Sequence, residues 1–275
     1  MEFKNIKISI ITLSKDDNKL FKRTLISIKK QVFNFNIEWV VVDGSNNQNQ
    51  LKKKKLIKTK LLSSNRENII LKFINVQKLN INGIYPCMNF GKKISRGEFI
   101  IFLNSGDEFF SKNSLSTLIE KSAFKSKEYT IIFGQAKIIA KDISWSFPGN
   151  KLTNIQNWLK FFEPNHQAMM ISNKLAKEFD FSTKHNLISD GLWKRKMIDN
   201  AEEVFYIKTP ICKFYLDGVS STKPKLENLK IILKNDKISF LRKLIFTIKF
   251  IFPKKLFYFY HFLQKMKSQI IDFLF

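Results

Sequence analysis

This sequence predicts an α/β fold with Rossmann-like topology, built on a mostly parallel central sheet. Three observations predict it. Apolar strand-like runs alternate with helix-like segments over the first hundred residues. The runs are nearly continuous in apolar character, as strands buried on both faces are. One of them ends in an acid and another empties into Asn104-Ser105-Gly106-Asp107, at the strand ends where ligands of such sheets collect.

Residues 7 to 13, Lys-Ile-Ser-Ile-Ile-Thr-Leu, form the first strand. Asp16-Asp17 then offers a helix cap, and Phe21, Leu25, Ile28 and Val32 follow at helical spacing. Glu38 to Gly44 is the second strand, with Asp43 at its end. Residues 52 to 60 are rich in lysine and predict a solvated helical or loop face. Ile69 to Ile74 is a third strand, Met88 to Ser95 a helix closed by Arg96-Gly97, and Phe99 to Leu103 a fourth strand. Thr130 to Gly134 is one more strand, after which regularity drops and residues 145 to 222 suit ligand-facing loops and helices.

The chain has 275 residues, 44% of them hydrophobic, and a formal charge of +25, so it can bury a large core and attract anionic partners. Only Arg23, Arg66, Arg96, Arg195 and Arg242 are arginines, and no nucleic-acid-binding motif is present. Arginine is the residue of forked contacts to phosphate and guanine, so its scarcity argues against a nucleic-acid partner. The many lysines also fit a general composition bias. Cys87 and Cys212 stand in no ligand spacing, which leaves out a zinc site and a disulfide framework.

The nine glycines never form Gly-x-Gly, so the dinucleotide fingerprint and the phosphate loop of P-loop proteins are both missing. A diphosphate on such a sheet then needs another counter-charge, and a metal held by a carboxylate supplies one. Asp107 lies beyond a tight Ser-Gly turn, beside the neutral oxygen of Asn104, and Mg²⁺ or Mn²⁺ takes such ligands. By position alone, Asp107 serves equally well as the cap of the next helix.

The segments Glu38 to Gly44, Asn82-Gly83-Ile84-Tyr85 with Met88-Asn89 and Gly91, and Gly97 to Asp107 together closely resemble glycosyltransferase family 2, nearest its colanic-acid-biosynthesis type. Asn165-His166-Gln167-Ala168, Ser189-Asp190 and Asp217 to Thr222 resemble that subgroup's later motifs in the same order, so the likeness runs from residue 7 to 222. It implies a GT-A fold and an inverting single-displacement transfer of a sugar from a nucleotide-sugar donor, with UDP-sugar the expected type, to a saccharide or lipid-linked acceptor in cell-surface polysaccharide assembly. By the family pattern Thr12 and Asp43 hold the nucleoside, Asn89 and Asn104 face the donor, and Asp107 binds the divalent metal, Mn²⁺ or Mg²⁺. Asp190 matches the catalytic base, and His166 and Gln167 line the donor or acceptor side.

The chemistry asks for these residue types. An attacking hydroxyl loses its proton to a nearby carboxylate, and a cation stabilises the charge that builds on the departing diphosphate. Without the resemblance, Asp190 reads as a helix cap before Leu192 and Trp193, and His166 as a satisfied core residue. The chain also departs from the family's Asp-Asn-Gly-Ile-Tyr-Asp-Ala-Met-Asn pattern, with Ile81, Pro86 and Cys87 at three positions, and it lacks an acid and a glycine after Gly44. These changes bear on donor identity. A relative that binds a nucleotide sugar without turning it over stays the alternative.

Two parts are expected: a domain over 1–222, with a nucleotide-binding half 1–110 and an acceptor-side half 111–222, and a basic tail over 223–275. In the tail Ile238, Leu241, Leu244, Ile245, Ile248, Ile251 and Phe252 recur at helical steps among lysines until Pro253, which describes a basic amphipathic helix. It is too short and too charged to span a bilayer. It suits an anionic membrane surface, or packing on its own domain or on a second copy in a homodimer. With no signal peptide in the opening residues, a cytoplasmic protein is expected, peripheral on the inner face of the plasma membrane.

Overall fold

The computed structural model describes residues 5–61, 67–140, 143–184, 189–216 and 226–234, and beyond them 243, 244, 247, 250, 265 and 266. Its N-terminal half follows the predicted alternation: β1 (Ile6–Ser14), α1 (Asn18–Lys29), β2 (Asn36–Asp43), α2 (Asn47–Lys60), β3 (Ile69–Asn75), α3 (Ile84–Ile94) and β4 (Phe99–Phe102). These strands pair in parallel in the order β3-β2-β1-β4, so their C-terminal ends share one edge. Asp17 caps α1 as expected, its carboxylate accepting from Leu20 N at 2.9 Å.

The sheet is buried on both faces, which is why its strands read as unbroken apolar runs. On one side Ile8, Ile10, Trp39 and Val41 pack with Phe21, Leu25 and Ile28 of α1. On the other, Ile11, Val40, Val42 and Phe102 pack with Met88 of α3 and with Trp158 and Trp193. Each large side chain buried this way contributes about 1.5–3 kcal/mol. Val32, expected on the inner stripe of α1, lies past the end of that helix and is 52% exposed.

The region expected to lose regularity is ordered into elements. After β5 (Glu108–Phe109) and α4 (Ser114–Ser122) come β6 (Thr130–Ala140), β7 (Ile143–Phe147), α5 (Ile155–Phe161), β8 (Met169–Ser172), α6 (Asn173–Glu178), α7 (Ser189–Asn200) and β9 (Glu203–Tyr215). β8 is antiparallel to both β4 and β6 and joins the parallel block to the rest of the sheet, which continues β6-β9-β5 with β7 on β6. Pro210 interrupts β9, and its pairing with β6 shifts register beside Gly134. A Cβ at Gly134 would stand 2.5 Å from Ile211 and 2.7 Å from the Thr209 carbonyl, so the shifted strand needs glycine there.

The tail is described over α8 (Leu226–Lys234), where Leu229 and Ile232 are buried and Lys230 and Lys234 are exposed. The amphipathic pattern from 238 to 252 and the motif from Asp217 to Thr222 lie outside the described residues, save for isolated positions of the former. Among the described residues, no helix is long and apolar enough to cross a membrane.

Candidate active site

The Asn104–Asp107 turn is fixed by β1 and α1. Leu103 N donates to Ile11 O at 2.9 Å and Ser105 N to Leu13 O at 3.0 Å, so the chain leaving β4 stays pinned to β1. Gly106 then adopts φ +106°, a conformation that L side chains rarely tolerate, and Asp107 N donates back to Asn104 O at 3.0 Å. From α1, Thr24 Oγ1 accepts from Gly106 N at 2.9 Å and donates to Asp107 O at 2.8 Å. Its neighbour Arg23 donates Nε to Gly106 O and lays its guanidinium over the Tyr215 ring, 3.7 Å from the centroid. Sequence reasoning missed both residues. They sit between the helix's apolar positions, and nothing local marks a hydroxyl that bonds across 82 residues.

Asp107 is almost fully buried and caps no helix, since α4 begins at Ser114. Its Oδ2 accepts from Gln167 Nε2 at 2.9 Å and its Oδ1 from Tyr215 N at 3.3 Å. Asn104 Oδ1 and Gln167 Oε1 are buried and accept no protein hydrogen bond. Buried orphan oxygens call for a partner, and a carboxylate among neutral amide oxygens is the donor set of a hard divalent ion. Residues of these types could hold Mg²⁺ or Mn²⁺. Among the described residues, no group of three His, Cys, Asp or Glu side chains forms an all-protein metal cage.

Beside this turn stands the second acid. Asp190 lies in the first turn of α7, and its Oδ2 is 2.9 Å from His166 Nδ1. Lys194, one helical turn on, puts Nζ 3.2 Å from Oδ1. Burial works against the charge on Asp190, but Lys194 and His166 outweigh it and hold the carboxyl well below the usual carboxylate range. His166 Nε2 faces Asn104 Nδ2 at 3.4 Å. Asn104, His166, Asp190 and Lys194 thus form one line, and Gln167, next to His166, ties that line to Asp107.

Three other predicted residues do frame work. Thr12 is buried, its hydroxyl donating to Leu103 O at 2.8 Å and accepting from Trp39 Nε1 at 2.9 Å. Asn89 uses both ends of its amide on Phe181, donating to its carbonyl at 2.9 Å and accepting from its N–H at 2.8 Å. Asp43 is buried with Ser45 Oγ and Lys53 Nζ, each 2.7 Å from Oδ1, while Oδ2 accepts no protein hydrogen bond. This corrects the expected solvated face at 52–60. The segment lies in α2, where Lys52, Lys54 and Lys55 are exposed, but Lys53 turns inward and is fully buried against Asp43.

No protein-family model and no curated protein matches this chain. Solved structures do. Staphylococcus aureus TarS 1–349 in complex with UDP-GlcNAc matches with a TM-score of 0.61 at 19% identity, over 90% of this chain and 72% of that one. The fold here is the GT-A fold. TarS in its longer crystal structure matches at 0.57 and 19% identity, where this chain spans only 43% of its length. The mannosyltransferase PcManGT from Pyrobaculum calidifontis, in complex with GDP-Man and Mn²⁺, matches at 0.54 and 12% identity, over 89% of this chain and 62% of that one.

Proposed function

We propose that this chain is an inverting glycosyltransferase of family 2. It moves a sugar from a nucleotide-sugar donor, of UDP type, to a saccharide or lipid-linked acceptor in cell-surface polysaccharide assembly. The observation that carries this reading is the contact chain between two acids distant in sequence, Asp107 to Gln167 and the adjoining His166 to Asp190, at the end of a parallel sheet. The UDP-GlcNAc and GDP-Man bound to the structural neighbours support the donor class, and the Mn²⁺ of one neighbour supports a metal.

In this reading Asp190 accepts the proton of the acceptor hydroxyl as that oxygen bonds to the anomeric carbon. The bond from that carbon to the diphosphate breaks, and its electron pair leaves with the nucleotide. Asp107 would hold a divalent ion, which would supply charge stabilisation for the leaving diphosphate. The Thr24 and Arg23 contacts keep Asp107 from moving as charge builds, and preorganised groups of this kind act without reorganisation cost. Asp43, with one oxygen unpaired, serves the nucleoside side. Thr12 and Asn89 serve it by holding Leu103 and Phe181 in place. The unit comprises 1–222, with 223–275 as a basic tail that keeps the enzyme on the inner face of the plasma membrane, beside lipid-linked acceptors.

Incubation with Mn²⁺ and a panel of nucleotide sugars, with and without a lipid diphosphate sugar acceptor, tests the proposal. Metal-dependent release of nucleoside diphosphate with one donor supports it. Donor binding without release under any acceptor indicates a binding protein that has lost turnover.

A further inference from the structure

Asp190 is gripped from two sides by groups on different elements. Lys194 takes Oδ1 from the same helix and His166 takes Oδ2 from the turn before β8. One partner per oxygen prevents rotation of the carboxylate plane. An ordinary Asp–Lys pair one turn apart on a helix surface does little of this, because both side chains are free to swing. Lys194 differs because its side chain is only 11% exposed, while that of Asp190 is 32% exposed. A buried ammonium is costly unless paired, so Lys194 is tied to its partner, and the carboxylate keeps an open edge.

Packed rings lie behind His166 and around Trp193, the residue before Lys194. Trp193 stacks on Phe181 at 4.2 Å and donates Nε1 to Phe179 O at 2.8 Å. Phe102 meets Trp193 and His166 edge-on at 5.9 Å and 6.2 Å. His166 cannot swing away without disturbing this wall, and the packing of Trp193 fixes the turn of helix that carries Lys194. The third titratable group facing the acid is Tyr85, which meets its backbone and whose own ionisation burial pushes far above the ordinary range.

We propose that Lys194 and His166 are positioning residues that together fix the Asp190 carboxylate in one orientation and leave its exposed edge for the acceptor hydroxyl. This rests on the reading of Asp190 as the proton acceptor. The acceptor proton passes to a lone pair of Asp190 that neither partner occupies, as the acceptor oxygen bonds to the anomeric carbon and the diphosphate departs with the electron pair of the broken bond. The clamp lowers the basicity of the carboxylate and in return keeps it ionised and aimed, and orientation of a reacting group carries a large share of a barrier.

The test follows the Asp190 carboxyl carbon by NMR in the full chain labelled at aspartate, with Asp190→Asn to assign the signal. Lys194→Met is expected to raise the midpoint of its titration by one unit or more, about tenfold in proton affinity. Lys194→Arg is expected to restore it. Release of UDP from UDP-GlcNAc with Mn²⁺, followed in parallel, is expected to fall at least tenfold in kcat in Lys194→Met with donor KM little changed. A Lys194→Met midpoint equal to that of the wild type overturns the clamp. If Lys194→Met does not fold, His166→Gln makes the same test from the other oxygen. The two failures are distinct: full turnover in Asp190→Asn removes the base, whereas an unmoved midpoint removes the clamp.

Discussion

Gln167 Nε2 donates to Asp107 Oδ2 at 2.9 Å across 60 residues of chain, so the proposed metal acid is oriented by the turn that also carries His166. Outer partners of this kind typically govern metal affinity by 10–100-fold, because they fix the ligand's direction and charge. Gln167→Ala is therefore expected to weaken Mn²⁺ binding in the presence of UDP by about 10–100-fold. Asp107→Ala is expected to abolish it. Titration of free Mn²⁺ by electron paramagnetic resonance reads both, and undiminished affinity in Gln167→Ala would remove the orienting role.

Thr24 pins α1 to the Asn104–Asp107 turn. Its hydroxyl meets Gly106 N and Asp107 O, both buried, so Thr24→Val preserves shape and removes both of these bonds. A loss of about 1–3 kcal/mol in urea unfolding is expected, with Thr24→Ser close to the wild type. Equal stability of Thr24→Val and Thr24→Ser would show that the turn stands without it.

The fully buried pair of Lys53 and Asp43 gives a sharper contrast. Removing one partner leaves an uncompensated charge in the interior, and Lys53→Met is expected to cost about 3–5 kcal/mol. Replacing both, as Lys53→Met with Asp43→Asn, is expected to recover much of that loss. Denaturation midpoints of the two variants decide it: a double variant less stable than Lys53→Met contradicts the account.

What was legible in the sequence follows from where each constraint lies. β1, β2 and β4 are buried on both faces, so apolar runs marked them, and Asp17 was readable because capping is a local bond. Lys53 was not readable, since four consecutive lysines look alike until the helix phase turns one toward Asp43. β8 was lost because four residues, Met169–Ser172, carry no period. β9 was lost because Pro210 and exposed Lys208 break its pattern. Asp107, His166, Gln167 and Asp190 were named from a family likeness, and their contacts are non-local, so no spacing rule could have shown that Gln167 reaches one acid and His166 the other.

Glu38 offers a test by pH of how the frame supports the site. Its side chain is fully buried, which opposes ionisation, but Lys72, Ser9 and the Arg96 backbone N–H outweigh burial and keep its pKa below the usual glutamate range. A depressed folded pKa contributes stability that is fully present above the unfolded value of about 4.3 and is lost as pH falls from there toward the folded value. Glu38→Gln cannot titrate, so its unfolding free energy is expected to fall less steeply than the wild type's as pH drops below about 4.3. Urea unfolding at steps from neutral to acid pH reads the difference, and parallel curves would show that Glu38 is not the acid-sensitive brace. The same contacts tie β1 and β2 to Arg96 and Gly97, just before β4, through Ser9 Oγ, which accepts from Gly97 N at 2.8 Å and donates to Glu38 at 2.7 Å. Slackening that brace is expected to let β4 shift, and the turn that carries Asp107 with it. Metal-dependent donor binding by Glu38→Gln is accordingly expected to weaken at neutral pH, where the fold itself still holds.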